Sequence, residues 1–282
     1  MMKTLAKKVY LFVYEVYVRM RDNELVDMAN ALTFKLILSV FPFIICIMSS
    51  VAFFNLDVST ALQNFLGEAP DSVRDILMGF IGEVTETKRV SLLSTSLLVS
   101  FFSASSGVYT FMKGINRAYN AKERRGYILQ RFISLLVVII FAALIVVSLY
   151  VYIFSDKINE LVFGSEIHLP VIVINLRSYI ITYCLTFIMI MAIYMLSVVE
   201  RPKIRQLVPG AIFTMVAWLG ISKCFNIYIN NFSRYSAIYG SIGAVFVFAL
   251  WLNLLSYVLL IGGQINAICY DRKWIEEVLV CE

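Results

Sequence analysis

The stretch WLNLLSYVLLIGGQIN, residues 251–266, lies inside 36 consecutive residues, Tyr235 to Tyr270, that carry no charge. An α-helix rises about 1.5 Å per residue, so roughly 20 residues cross the hydrocarbon layer of a bilayer. The run is more than long enough, and lipid is the solvent it implies. Asn253, Gln264 and Asn266 interrupt it, and polar groups in hydrocarbon are costly unless they are paired. Depth and helical phase have to separate the three.

The rest of the chain repeats the pattern. Of 282 residues, 60% are hydrophobic and 15% charged, a balance one soluble core of ordinary size does not hide. Uncharged runs of spanning length occur at Ser91–Met112, Phe132–Ser155 and Ser178–Val199. Two further runs hold one lysine each: Asn30–Phe54 with Lys35 and a kink or bend at Pro42, and Leu207–Ile229 with Lys223. The expected fold is all-α, a polytopic membrane protein forming one membrane domain over residues 1–282. Its six transmembrane helices fall at about 30–54, 91–112, 132–155, 178–199, 207–229 and 239–268.

Residues 1–28 place Leu5, Val9, Phe12 and Val16 at helical spacing, with Lys3, Lys7, Lys8, Glu15 and Arg19 largely elsewhere. The segment reads as a cytoplasmic amphipathic helix in the membrane interface, or as a solvated helix packed on the protein. No compact apolar core with a small-residue cleavage site points to a signal peptide. Residues 55–90 form the expected extracellular helical segment: Val73, Ile76, Leu77, Phe80, Ile81 and Val84 oppose Asp71, Arg74, Asp75 and Glu83 after Pro70. Its acidic surplus fits a lid for a cationic solute or a solvated surface.

Sixteen Lys and Arg fall in the segments before the first span, at 113–131, at 201–205 and in the tail, against six on the other side. That bias places both termini in the cytoplasm. The basic loop 113–131 is expected to meet anionic lipid headgroups rather than nucleic acid, and homo-oligomerisation stays open. Cys46, Cys184, Cys224, Cys269 and Cys281 form no CxxC pair, which supports neither a disulfide framework nor a thiolate metal site.

Catalytic chemistry finds little purchase. The chain has one histidine, His168, and no HExxH, GxxxxGK[ST] or GxSxG motif, and none of the six spans holds a carboxylate. No catalytic residue, metal or cofactor is implied. The spans hold neutral polar side chains and two lysines instead. Asn253, Tyr257, Leu260 and Gln264 share one helix face, with Asn253 expected near mid-membrane and Gln264 near the cytoplasmic side, at the depth of Lys35. Ser39 and Pro42 on the first span, and Ser106 and Tyr109 on the second, complete a candidate polar vestibule. Pro42 is expected at the depth of Asn253. The competing reading is interhelical packing, in which hydroxyls and amides bond across helices and Gly240, Ala244, Gly262 and Gly263 let backbones approach. Asn266 is expected where the helix reaches water.

Four stretches, ANALTFKLILSVFPFI (29–44), SSGVYTFMKGINRAYN (105–120), RPKIRQLVPGAIFTMVAW (201–218) and YSAIYGSIGAVFVFALWLNLLSYVLLIGGQINA (235–267), resemble the YihY/virulence factor BrkB family, once labelled ribonuclease BN. The resemblance implies a multi-pass protein of the bacterial inner membrane. Its members have been linked to virulence, serum resistance and, in one branch, lipopolysaccharide export. It therefore points to a transporter or flippase-like protein for a lipid, amphiphile or small solute. A non-transporting envelope scaffold or assembly factor is the alternative, and a ribonuclease ranks last. Where the family commonly reads Gly-Ala-Glu-Leu-Asn, this chain has Gly262-Gly263-Gln264-Ile265-Asn266. Position 264 thus carries a neutral amide of similar shape where the resemblance implies a titratable carboxylate, which speaks against any mechanism that needs proton exchange there.

Overall fold

Among the described residues, long apolar runs fold into seven helices: α1 (Met2–Asp22), α2 (Leu25–Phe54), α3 (Val90–Ala118), α4 (Tyr127–Ile153), α5 (Val171–Ser197), α6 (Ile204–Asn231) and α7 (Arg234–Tyr270). They are seen in a computed structural model that describes residues 2–54, 90–153, 171–231 and 234–271. No strand occurs among the described residues. The expected helical segment 55–90 lies outside them except for Val90, and so does His168. Helices α2 to α7 each have at least 27 residues. Among the described residues, three windows are both long and apolar enough to cross a membrane: Tyr127–Leu144, Ile204–Tyr228 and Val245–Tyr270.

The turns are set by local chemistry. Asn120 adopts φ 49° just after α3, a left-handed conformation that asparagine tolerates better than most side chains. The Asn120 N–H donates to Arg117 O (3.0 Å) and the Ala121 N–H to Asn116 O (2.9 Å), the paired bonds of a Schellman motif. Glu24, at φ 50°, follows α1 with one bond of this kind, its N–H donating to Arg21 O (3.1 Å). Helix α6 begins with a capping interaction: the Lys203 N–H donates to Gln206 Oε1 (2.8 Å). Pro42 lies within α2, which stays helical through it.

The chain divides into two compact units. Unit 1 takes residues 1–25, 111–217 and 259–282. Its core includes Phe111, Met112, Ile115, Ile190, Tyr194, Val198, Leu207, Ala211 and Ile268. In this unit α1 is tied down by Arg19, which donates to Glu15 Oε1 (2.6 Å) and to Asp271 Oδ2 (2.7 Å). Half-burial alone would lower the Arg19 pKa, but the two carboxylates outweigh it and raise it. The other face of α1 is open, with Tyr10, Val13, Tyr14 and Tyr17 all exposed at i, i+3, i+4, i+7 spacing. Unit 2 takes residues 26–110 and 218–258, with Ala29, Leu32, Leu255 and Val258 buried.

Arg117 donates to Glu24 Oε2 at 2.8 Å, and this hydrogen bond with its charge holds the Glu24 carboxyl below its ordinary value of 4.5. A depressed carboxyl contributes stability above its unfolded pKa and loses it as pH falls through the folded one, so the tie is intact at neutral pH. Both side chains are open to solvent, so its contribution is small. In Arg117→Gln, the Glu24 carboxyl carbon, followed by NMR, should titrate upward toward 4.5. An unchanged midpoint would remove Arg117 as the cause.

Candidate functional site

The polar residues of unit 2 gather where α2 meets α7 and α3. Asn30 and Thr33 are one turn apart on α2 and face α7, where Asn253 Nδ2 donates to Asn30 Oδ1 (3.0 Å) and to Thr33 Oγ1 (3.1 Å). Two donors on two acceptors fix the orientation of the Asn253 amide, which leaves its Oδ1 as an acceptor. The Thr33 hydroxyl has a single proton, shared between Ala29 O (2.7 Å) and Ser256 Oγ (3.1 Å). Ser256 in turn donates to Leu252 O at 2.9 Å. On another face of α2, Lys35 donates to Thr110 Oγ1 on α3, and Thr110 passes its own proton to Ser106 O (3.0 Å). The cluster is part-open: Asn30 is exposed, Lys35 and Asn253 are half-buried, and Thr33, Thr110 and Ser256 are buried.

The other vestibule residues are more dispersed. Ser39 returns its hydroxyl to Leu36 O on its own helix (2.7 Å), and Pro42, Ser106, Tyr109 and Tyr257 are half-buried. Gln264 belongs to unit 1, where it is buried and accepts from Asn23 Nδ2 at 3.2 Å. The pairings expected from depth therefore differ from those found. Asn253 sits opposite Asn30 and Thr33 rather than level with Pro42, and Gln264 meets Asn23 in the α1–α2 turn. The reason is that α2 starts at Leu25 and α7 runs on to Tyr270, so these antiparallel helices pair in a register about three turns from the one expected.

Asn266 also departs from expectation. It does not reach water but is fully buried in unit 1. Its Oδ1 accepts from the Gly210 N–H at 2.8 Å, directly after Pro209, whose ring disturbs normal helical bonding. Since that bond fixes Oδ1 as the acceptor, Nδ2 points elsewhere, and it has no partner among the described residues. Around it α6 and α7 touch backbone to backbone. A Cβ on Gly210 would overlap the Gly262 carbonyl oxygen and the Asn266 amide, and one on Gly262 would overlap Thr214 Oγ1 and the Tyr194 hydroxyl. A Cβ on Gly263 would strike Ile115 Cδ1. Tyr194 uses its one proton on Leu259 O (2.7 Å), so Thr214, 2.7 Å away, must donate to it. Gly240 and Ala244 are in α7, but their packing lies outside the described part.

Three residues not singled out from sequence organise the basic 113–131 segment. Asn116, buried, donates to Ser197 O (3.1 Å) and Glu123 Oε2 (3.0 Å) and accepts from the Val199 N–H (3.0 Å). Arg125 donates to Val198 O (2.9 Å) and Leu196 O (3.5 Å), placing a cation on the carbonyl end of α5, where the helix dipole favours it. Tyr119 packs against Tyr270 with the rings tilted and their centroids 5.4 Å apart. Burial, followed by the neighbouring Cys269, Tyr194 and Tyr270, pushes its phenol pKa up. The clue available in the sequence was an asparagine one turn before a chain reversal.

Large apolar side chains exposed along helix faces, including Ile128 at 83%, Phe132 and Ile139 on α4 and Phe246 and Leu250 on α7, exceed what water tolerates and suit lipid. With the spanning-length helices, they define an integral membrane protein made of helices. The chain belongs to the family described as Virulence factor BrkB, whose sequence profile matches residues 16–278. It is 28% identical to the ribonuclease-like protein YfkH of Bacillus subtilis, over 93% of this chain and 96% of YfkH. It is 26% identical to a UPF0761 membrane protein of Glaesserella parasuis, over 76% of this chain and 73% of that protein. A UPF0761 membrane protein of Psychromonas ingrahamii is 25% identical over 93% of this chain and 88% of its own length. No solved structure matches the chain.

Proposed function

We propose that this is a transporter or flippase-like protein of the bacterial inner membrane that carries a lipid, amphiphile or small solute. It works as one six-span membrane domain with cytoplasmic termini. The observation that carries the reading is the half-buried amide of Asn253. Its donors are committed to α2 and its Oδ1 is an acceptor, within a span otherwise built for lipid. A residue that served packing alone would be expected to be buried, as Asn266 is. Exposed Lys122 and Arg124 in the 113–131 segment suit anionic headgroups.

The test is lipid movement in proteoliposomes, followed by dithionite quenching of fluorescent nitrobenzoxadiazole-labelled phospholipids. Wild-type protein should bring the inner-leaflet label to the outer surface, and Asn253→Leu should abolish this while keeping its elution profile and melting curve. Label movement that is the same with Asn253→Leu as with wild type would assign Asn253 to packing.

The scaffold reading has its own support in the Gly210–Gly262 crossing and the Tyr194–Thr214–Leu259 bonds, which build a junction suited to rigidity. A wild-type protein that moves no labelled lipid of any headgroup would favour it. The ribonuclease reading draws only on the printed name of one relative.

A further inference from the structure

Helix α1 has two unlike sides. At about 100° per residue, Phe12 and Val16 fall on the side of Arg19, which binds Asp271, and both are half-buried. Tyr10, Val13, Tyr14 and Tyr17 fall on the opposite side and are open, the tyrosines at 67%, 55% and 63%. The rings of Tyr10 and Tyr14 stack with centroids 6.3 Å apart. Exposed Lys7 and Arg21 continue this face at its two ends, with Asp22 beside Arg21 at 3.3 Å.

Large side chains open on successive turns of one helix form a patch that water alone does not favour. Its chemistry differs from that of the face α4 turns to lipid. There Ile128, Phe132 and Ile139 are exposed, side chains without a polar atom, whereas α1 presents three rings that each end in a hydroxyl. Tyrosine suits a layer that is apolar on one side and wet on the other, and it collects at membrane–water boundaries for that reason.

Two bonds within unit 1 set the level at which α1 ends. Arg19 holds Asp271, the residue after α7, and Asn23 holds Gln264, seven residues earlier in the chain. Seven helical residues cover about 10 Å, and this stretch takes in the last turns of the apolar window Val245–Tyr270. The end of α1 therefore stands where the hydrocarbon-facing part of α7 gives out. Its tyrosine face continues outward from that level.

We infer that the face made by Tyr10, Tyr14 and Tyr17 is a lipid-docking surface, and that α1 lies flat in the headgroup layer of the leaflet in which α7 ends. The rings sit among the glycerol groups and upper acyl carbons, with the hydroxyls, Lys7 and Arg21 reaching toward the headgroups. The opposite side of the helix stays on the protein through Arg19. This seat is independent of whether the protein transports a lipid.

The test is photocrosslinking of the full chain in nanodiscs of phosphatidylethanolamine and phosphatidylglycerol. Tyr10, Tyr14 and Tyr17 are replaced one at a time by p-benzoylphenylalanine, which inserts into nearby C–H bonds on illumination, and the products are read by mass spectrometry. All three positions are exposed, so each variant is an independent measurement should another fold poorly. Positions 10, 14 and 17 should each gain the mass of one phospholipid, several-fold more often than Phe12→p-benzoylphenylalanine on the protein side. Because positions 10 and 17 are about 10 Å apart along the helix axis, lipid adducts at 17 without any at 10 would mean that α1 stands upright, and would overturn the proposal. A product of twice the chain mass would overturn it in favour of a second copy on this face. Absence of lipid adducts at all three positions in folded variants would overturn it by assigning the face to water.

Discussion

Gly210→Ala should prevent the protein from reaching its native packing, although it adds one methyl group. The methyl would point at the carbonyl oxygen of Gly262 and the amide of Asn266, both held by a helix that cannot step back without losing its own contacts. Flexible side-chain ends can yield to such an intrusion, but a backbone oxygen cannot. Moving α6 away would also break the bond from the Gly210 N–H to Asn266, leaving two more buried polar atoms without partners. Together these place the loss at roughly 4 kcal/mol or more, in the range reserved for severe core defects. The check is thermal unfolding in detergent micelles, with Gly220→Ala as the matched control, since nothing lies within 4 Å of a Cβ there. Equal melting of the two variants would mean that α6 and α7 do not cross this closely.

Asn116→Leu is the second severe change expected. One amide joins three groups, taking the Val199 N–H and giving its protons to Ser197 O and Glu123 Oε2. Leucine matches its size but leaves a backbone donor and a backbone acceptor unpaired at the buried end of α5. At about 1–3 kcal/mol for each unsatisfied group, the total is roughly 3 kcal/mol. The reversal after α3 should loosen with it, because the lost amide also held Glu123 Oε2 within that reversal. Amide exchange of Val199 and Ala121 should rise together and well above that of Val137, a buried position on α4. Protection of Val199 equal to wild type would show that another acceptor serves it.

The helices were legible in the sequence because their signal is repeated many times over: each uncharged run spans several turns, and turn residues such as Asn120 punctuate them. Ends were missed by a few residues, as where α2 begins at Leu25 rather than Asn30. The pairing of helices was less legible. Depth counted from each run's end is a one-dimensional argument, and an error of a turn or two at both ends of an antiparallel pair accumulates, which is how Asn253 came to be set level with Pro42. Asn266 was misread for a related reason: nothing in its own neighbourhood announces Gly210, 56 residues away. The glycines of the final helix stood out as small, but what they accommodate, a tyrosine hydroxyl and a carbonyl, belongs to other segments.

Four serines and three asparagines of this chain behave differently, and the difference bears on how each helix is held in register. Ser100, Ser105, Ser134 and Ser197 each return a proton to a carbonyl one turn back on their own helix, which gives the hydroxyl a partner within that helix. Asn116, Asn253 and Asn266 instead reach other helices and fix register as a tooth fixes a gear. Helix α4 meets its surroundings in another way: Ser134 also faces the Met112 sulfur of α3 at 3.3 Å, and Gln130 donates to Arg125 O in the turn before the helix. Helix α4, which packs against α5, is therefore positioned more by the fit of its side chains than by an amide reaching across to another helix.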